Sequence, residues 1–374
     1  MINQRRILEE FFEFVKIESP TRAERLAGDL LKERLNKLGA ELAEDEVGIK
    51  IQGNCGNIWS FLKGTIPGAP TILFSAHLDC VGPCACVEPV LQDGIISSVG
   101  ETVLGADNKA GIVAILEAMR TIQENNIPHG DIQLVFTVAE EGGLHGSKNL
   151  DSALLKADFG YVLDAGGPPG QIVTMAPGQN SICAVIHGKA AHAGIAPEEG
   201  VSAITAAAMA LIKIKQGRID AQTTANIGTI HGGTGTNIVP DKVEIRGEAR
   251  SHNMDKLAHQ TQHICEAFEQ EALKYGARAE VTVSRAYNAF VLADDTEVVK
   301  LAKRAAEAVG LAAKVSGTGG GSDANYFNAY GVPCAVLGIG MCKVHTIEEY
   351  IKEADLYKNA EWVIAIVQQA AGLG

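Results

Sequence analysis

The chain has 374 residues, a length that favours two domains over one. Hydrophobic residues make up 46% and charged residues 21%, as in ordinary water-soluble folded proteins, so a sizeable core can form. The formal charge of −13, from 45 acidic against 32 basic residues, repels phosphate backbones and disfavours nucleic-acid binding.

The amino end, MINQRRILEEFFEFVKI, reads as an amphipathic helix of mixed charge and not as a secretory signal. No apolar stretch is long enough to cross a bilayer, so a cytoplasmic protein is expected. The eight cysteines lack the spacing of a disulfide framework, and the C-x-C of Cys84 and Cys86 has no second pair to complete a structural zinc site. Reduced thiols are the expectation.

In chain order, helices are predicted over 4–15 and 22–38, and short apolar strands over 57–62 and 71–75. A helix rich in Ala, Ile and Leu follows over 110–125, then strands over 132–138 and 161–163. Apolar runs of this length separated by helices indicate a largely parallel sheet covered on both faces. From about residue 178 the rhythm changes to strand, helix, two strands, helix and strand, the order of a ferredoxin-like domain. Its second helix is expected to bury Leu257, Ile264, Phe268 and Tyr275 on one face. After residue 288 the first rhythm resumes with a helix over 297–309, a strand over 334–337 and a terminal helix. The expected architecture is one α/β domain (1–177 and 290–374) interrupted by an α+β domain (178–289).

Open parallel sheets place ligands beyond the carboxyl ends of their strands, and five candidate metal donors fall at such points. ILFSAHLDCV puts His77 and Asp79 just after a strand, where residues two apart share a side. Asp79 can then fix the tautomer of a metal-bound His77. Asp107 sits in a Gly-flanked turn before a helix, where Asp is more often a helix cap. VFTVAEEGG ends a strand with Glu140 and Glu141, which point in different directions, so that one can bind metal while the other acts as general base. Asp164 ends another buried strand, and His345 follows the last one. Each element alone is weak. Two His, two Asp and one Glu at strand ends suit two zinc ions about 3.5–4 Å apart, bridged by one carboxylate.

These stretches resemble the di-zinc peptidases that include peptidase T, bacterial carboxypeptidase G and the aminoacylases. The resemblance covers essentially the whole chain, and LGADNKAG, SAHLD and ADFGYVLDAGG look most like peptidase T. It implies a zinc-peptidase-like catalytic domain with a mostly parallel sheet, plus an inserted lid and dimerisation domain. Asp107 is implied as the bridging ligand, His77 and Asp164 as completing one zinc, and Glu141 and His345 as completing the other. Glu140 is implied as the general base acting on a zinc-bridging water, Asp79 as the residue orienting His77, and a cis peptide after Asp107.

In the inserted domain, GKAAHAGIAPEEGVSA resembles a motif whose histidine, here His192, reaches the active site of the partner subunit in a homodimer. Asn237 of GTGTNIVP and Arg250 of EIRGEARS resemble the pair that holds substrate carbonyl and carboxylate groups. SGTGGGSDANYF resembles a cleft-lining loop, with Gly319 and Gly320 in contact with substrate. The implied activity is removal of the amino-terminal residue from short peptides, tripeptides above all. An N-acyl amino acid deacylase or a carboxypeptidase would use the same metal centre, as would cobalt or manganese in place of zinc. A metal-stabilised binding protein has no use for Glu140, and a nucleotide-binding enzyme lacks its phosphate loop, with no G-x-x-x-x-G-K-[ST] in the chain.

Overall fold

The computed structural model describes residues 1–373. The chain folds as two units. The larger takes Met1–Thr174, Leu292–Gly317 and the stretch from Ser322 onward; the smaller takes Met175–Val291 and Thr318–Gly321.

The larger unit is built on a sheet whose four central strands, Ile132–Thr137, Ile72–His77, Phe159–Ala165 and Cys334–Gly338, run parallel. Ile72–His77 and Ile132–Thr137 are buried at every residue, which is why they read as mostly apolar runs and not as strict alternation. Antiparallel strands extend the sheet on both sides: Ile58–Leu62 and Glu41–Glu44 on one, Gln171–Ala176 on the other. Helices Gln4–Val15, Ala106–Glu124, Glu297–Ala308 and Glu353–Ala370 contribute to the core with Phe11, Phe14, Ile112, Ile115, Leu301 and Trp362. Buried polar tips find partners there: the Tyr161 hydroxyl donates to Val298 O (2.7 Å) and Trp362 Nε1 to Ala302 O (3.1 Å).

The first helix begins where predicted because the Asn3 side chain accepts from Arg6 N and caps it. The second begins at Arg25, three residues later than predicted, since Arg22 takes a left-handed φ of 72° in the preceding turn. The helix Ala106–Glu124 carries Asp107 and Asn108 outside helical φ/ψ, and the peptide joining them is cis.

A second sheet of this unit was not predicted. It orders Met341–Cys342, Tyr350–Lys352, Ile95–Val99 and Glu88–Gln92, all antiparallel. Asp93 and Gly94, with φ of 52° and 77°, close its hairpin, a turn whose Asp-Gly signal the sequence does display. The loop between its first two strands carries His345 and Glu349.

The smaller unit has the order β-α-β-β-α-β, with an all-antiparallel sheet: Gly217–Arg218, Thr223–Gly232, Lys242–Ser251, Gly178–His187, Arg278–Tyr287. Apart from the two-residue edge strand this is the ferredoxin-like arrangement. Gly178–His187 alternates buried and half-buried positions, and Ile182, Ala184 and Ile186 pack with Ala206 and Ala207 of helix Ala203–Lys213. Helix Met254–Lys274 adds Leu257, Ile264 and Phe268 to that core. Tyr275 departs from the expected stripe. It lies just past the last helical turn and is 37% exposed, with Lys274 Nζ 5.7 Å from its ring centre.

Candidate metal centre

All five predicted donors, with Asp79 and Glu140, belong to the larger unit. Strand Ile72–His77 ends on His77, Phe159–Ala165 carries Asp164 near its end, and the turn after Ile132–Thr137 supplies Glu140 and Glu141. His77 Nδ1 lies 3.0 Å from the Asp79 carbonyl oxygen, an acceptor, so this nitrogen carries a proton and Nε2 is left to face the site. Nε2 is 3.0 Å from Asp107 Oδ1 and 3.4 Å from Asp164 Oδ1. His345 Nε2 is 3.1 Å from Glu141 Oε1 and 3.5 Å from Asp107 Oδ2. The two imidazoles thus meet opposite oxygens of one carboxylate, each with a second carboxylate alongside.

The charge balance of this cluster fits resident cations. Among the described residues, the ion pairs of Asp79, Asp107, Glu141 and Asp164 all run to His77 or His345. Burial opposes charge on His77, yet hydrogen bonds to Asp107 and Asp164 outweigh it and raise its pKa well above the ordinary value. Hydrogen bonds to Asp107 and Glu141 push His345 up to about 10. Asp107 is held low in spite of its burial, because both imidazoles bond to it. Burial then leaves the other acids short of positive charge. Asp164 is pushed up to about 7, and Glu140 well above the usual range by burial and by Asp164. Oxygen and nitrogen donors that draw protons for want of cations suit a pair of divalent ions. Ligand atoms of His77, Asp107 and Glu141 lie within 4.8 Å of one another, so donors from both imidazole–carboxylate groups meet in one compact cluster around Asp107.

Asp79 does more than face His77. Its Oδ1 accepts from Glu140 N (2.9 Å), and its Oδ2 from Glu141 N (3.2 Å) and the Thr21 hydroxyl (2.7 Å). The side chain that stands 3.4 Å from His77 therefore also holds the backbone of the Glu140–Glu141 turn.

The remaining predicted residues lie in the smaller unit. His192 is exposed, and its Nδ1 accepts from Gly194 N and Ile195 N, both at 3.2 Å, so the ring proton sits on Nε2. Ala193 N donates to Asn237 O (2.9 Å), which sets Asn237 beside the His192 turn. Arg250 is paired with Glu248 through Nε (2.8 Å) and Nη2 (3.1 Å), and its Nη1 lies 3.4 Å from Gly319 O. In the late glycine loop, a Cβ on Gly319 would meet open space and one on Gly320 only the Thr318 hydroxyl at 3.9 Å. Gly321 is the glycine that packing demands there, since its Cβ would strike the Tyr287 ring.

Residues 73–369 match Peptidase family M20/M25/M40. The chain belongs to that family. It is 44% identical to the uncharacterised protein YqjE of Bacillus subtilis (strain 168) over 372 residues, 99% of this chain and 100% of that one. Among solved structures it resembles aminopeptidase PepT from Bacillus cereus ATCC 10987, with 45% identity, TM-score 0.92 and 99% of each chain covered. It also resembles a tripeptidase (SAV1512) from Staphylococcus aureus subsp. aureus Mu50, with 43% identity, TM-score 0.96 and 100% of each chain covered. The protein is thus a peptidase-family enzyme. No helix of the described residues is long and apolar enough to cross a membrane.

Several residues that support the M20 centre escaped the sequence reading. Glu349 is 2% exposed, and its carboxylate accepts from Gly105 N (2.7 Å) and Asp107 N (3.0 Å), clamping the turn that presents Asp107. Burial pushes its carboxyl up to about 7 against those two bonds. Asp323 accepts from the Thr137 hydroxyl (2.5 Å) at the end of the strand leading to Glu140. Asn108 Nδ2 donates to Asp164 Oδ1 (3.1 Å). A carboxylate four residues past a histidine looks like a surface charge in sequence. What distinguishes Glu349 is a backbone partner 242 residues away.

Proposed function

We propose that the protein is a zinc-dependent exopeptidase that removes the amino-terminal residue from short peptides, tripeptides in particular. The observation that carries this reading is the pair of imidazole Nε2 atoms facing opposite oxygens of Asp107. The aminopeptidase and tripeptidase it resembles over the full chain support the substrate class.

In this reading Asp107 would serve both ions, with His77 and Asp164 holding one and Glu141 and His345 the other when they are bound. When bound, such a pair polarises a carbonyl and acidifies a shared water; zinc, cobalt and manganese all suit these donors. Glu140 takes the proton of the attacking water and delivers it to the leaving amine. Its place is set by the backbone, since Glu140 N donates to Asp79 Oδ1 (2.9 Å). Asp79 keeps His77 in the tautomer that turns Nε2 to the site and holds the Glu140–Glu141 backbone in place.

His192 acts in trans in a homodimer, donating its Nε2 proton to the carbonyl oxygen as it becomes anionic. The tautomer set by Gly194 N and Ile195 N supports that role. Asn237, Arg250, Gly319 and Gly320 hold the carbonyl and carboxylate groups of the peptide, with Glu248 orienting the Arg250 fork. The enzyme works in the cytoplasm on free peptides.

The test is hydrolysis of di-, tri- and tetrapeptides and of N-acyl amino acids by zinc-loaded protein, with and without chelator. Chelator-sensitive release of the first residue, fastest for tripeptides, is expected. Cleavage of acyl amino acids instead would move the enzyme to the deacylase branch with the same centre. Glu140→Ala should lower turnover by about 10²–10⁴-fold with both metals still bound, and near-wild-type turnover would remove Glu140 from the mechanism.

A further inference from the structure

Apart from the metal donors, a pocket of the larger unit gathers cations that form no ion pair with an acid. Arg22, Lys50, Gln52, His145, Lys148 and Asn149 line it. Elsewhere in this unit, arginines meet carboxylates closely: Arg25 reaches Glu44 at 2.5 Å, Arg34 reaches Glu10 at 3.0 Å, and Arg120 reaches Glu10 at 2.6 Å. Among the described residues Arg22, Lys50, His145 and Lys148 have no ion pair with any carboxylate. The nearest thing to a partner is the Asn149 carbonyl, 3.4 Å from Lys50 Nζ. In a chain with an excess of 13 negative charges, four basic side chains lining one concavity without a counter-charge need an explanation. They already feel one another: burial, then Arg22 and Lys148, hold His145 below its ordinary pKa.

The backbone fixes these groups in place. Arg22 and Gln52 have φ of 72° and 59°, a region that costs a non-glycine residue about 1–3 kcal/mol unless its surroundings impose it. At Arg22 they do. Its N–H donates to the buried Glu24 carboxylate (2.8 Å), its carbonyl accepts from Asn54 N (3.0 Å), and Gly53 packs so closely that a Cβ there would lie 3.3 Å from Arg22 Cα. The main chain is locked while the guanidinium stays exposed and unpaired.

The composition of the pocket selects its ligand. Three permanent cations, an imidazole and two carboxamides exceed what one carboxylate can neutralise. A phosphate group brings nearly two negative charges and three acceptor oxygens, and a guanidinium fork beside ammonium point charges suits it. We propose that this pocket binds a phosphate dianion, either the free ion or the terminal group of a phosphate ester. The site adjoins the turns that serve the metal centre. Thr21, next to Arg22, donates to Asp79, and His145 lies four residues beyond Glu141 with its N–H bonded to Ala139 O (2.9 Å). An anion linking Arg22 to His145 therefore braces both turns.

The test is calorimetric titration of metal-loaded, full-length protein with inorganic phosphate and, separately, with glycerol 2-phosphate, at ionic strength held constant with chloride. Lys50→Ala and Lys148→Ala change exposed side chains outside the catalytic machinery, and unaltered basal peptidase activity checks that the variants are folded. Phosphate can also ligate the metal ions, so the readout is the difference between wild type and variants. A saturable event that weakens about tenfold with each lysine removed and vanishes in the double variant is expected. Tighter binding of the free ion or of the ester assigns the natural source. Binding of both probes that is the same in wild type and double variant overturns the site.

Discussion

Replacing Glu349 by alanine is expected to loosen the metal centre without removing a metal donor. Its two oxygens accept from Gly105 N and Asp107 N in a site 2% exposed, so no solvent replaces them. Each buried N–H left without an acceptor costs about 1–3 kcal/mol, hence about 2–6 kcal/mol for the pair. Part of that is lost from the stability of the fold. The rest falls on the position of Asp107, the carboxylate shared by both imidazoles. Loss of a residue that supports a ligand typically weakens metal binding about 10–100-fold, or about 1.4–2.7 kcal/mol, which the lost hydrogen bonds can supply. Glu349→Gln keeps one acceptor but turns an amide group toward the other N–H, so it should fall between wild type and alanine. The assay is competition for bound metal against a chelator of known affinity, with metal content measured after dialysis. Wild-type affinity for both ions in Glu349→Ala would refute the clamp and leave the Asp107 turn to be held by its other contacts.

Two further predictions concern the fold. Arg6 bonds to both oxygens of Glu117, at 2.6 and 3.0 Å, and the Glu117 side chain has no exposed surface. Arg6→Ala strands that buried charge and should cost about 3–5 kcal/mol in denaturant unfolding, while adding Glu117→Leu should restore most of it; no change in the single variant would contradict the pairing. Glu44 is pulled down to about 2, chiefly by Arg25 and against burial, with Gly56 N and Lys32 assisting. A depressed carboxyl stabilises the fold above its unfolded pKa of about 4.5, and that contribution is lost as pH falls through about 2. Glu44→Gln should therefore be about 1–2 kcal/mol less stable at pH 7, after allowance for solvent screening, with the gap from wild type closing toward pH 2. A gap that stayed constant between urea midpoints at pH 7 and pH 3 would speak against it.

Much of the architecture was legible because its signals are local. Ile72–His77 and Ile132–Thr137 are buried on both faces and so are apolar at four of six positions each, without strict alternation, whatever they pair with. Gly178–His187 alternates because one face is covered by helices. The sheet holding Met341–Cys342 and Tyr350–Lys352 was not legible, since two or three residues are too few to display a period. Its hairpin at Asp93–Gly94 did carry a signal, one that only the pairing makes decisive. Tyr275 satisfied the helical spacing yet lies beyond the helix end, where the spacing no longer sets its direction.

The sequence by itself determined which residues stand at strand ends. Where a strand stops is decided by neighbouring residues, and ligands collect beyond such stops, so His77, Glu140, Glu141 and Asp164 could be read as candidates. Tertiary structure alone decided their partners. His345 meets Glu141 across 204 residues, Glu349 meets Asp107 across 242, and Asp79 turns out to hold the Glu140–Glu141 backbone across some 60. The unpaired basic pocket is likewise a property of packing, because it depends on separate segments around Arg22, Lys50 and His145 converging with no acid in its lining. Spacing along a chain constrains side chains within a few residues of each other; the distance between remote ones is set by how layers stack.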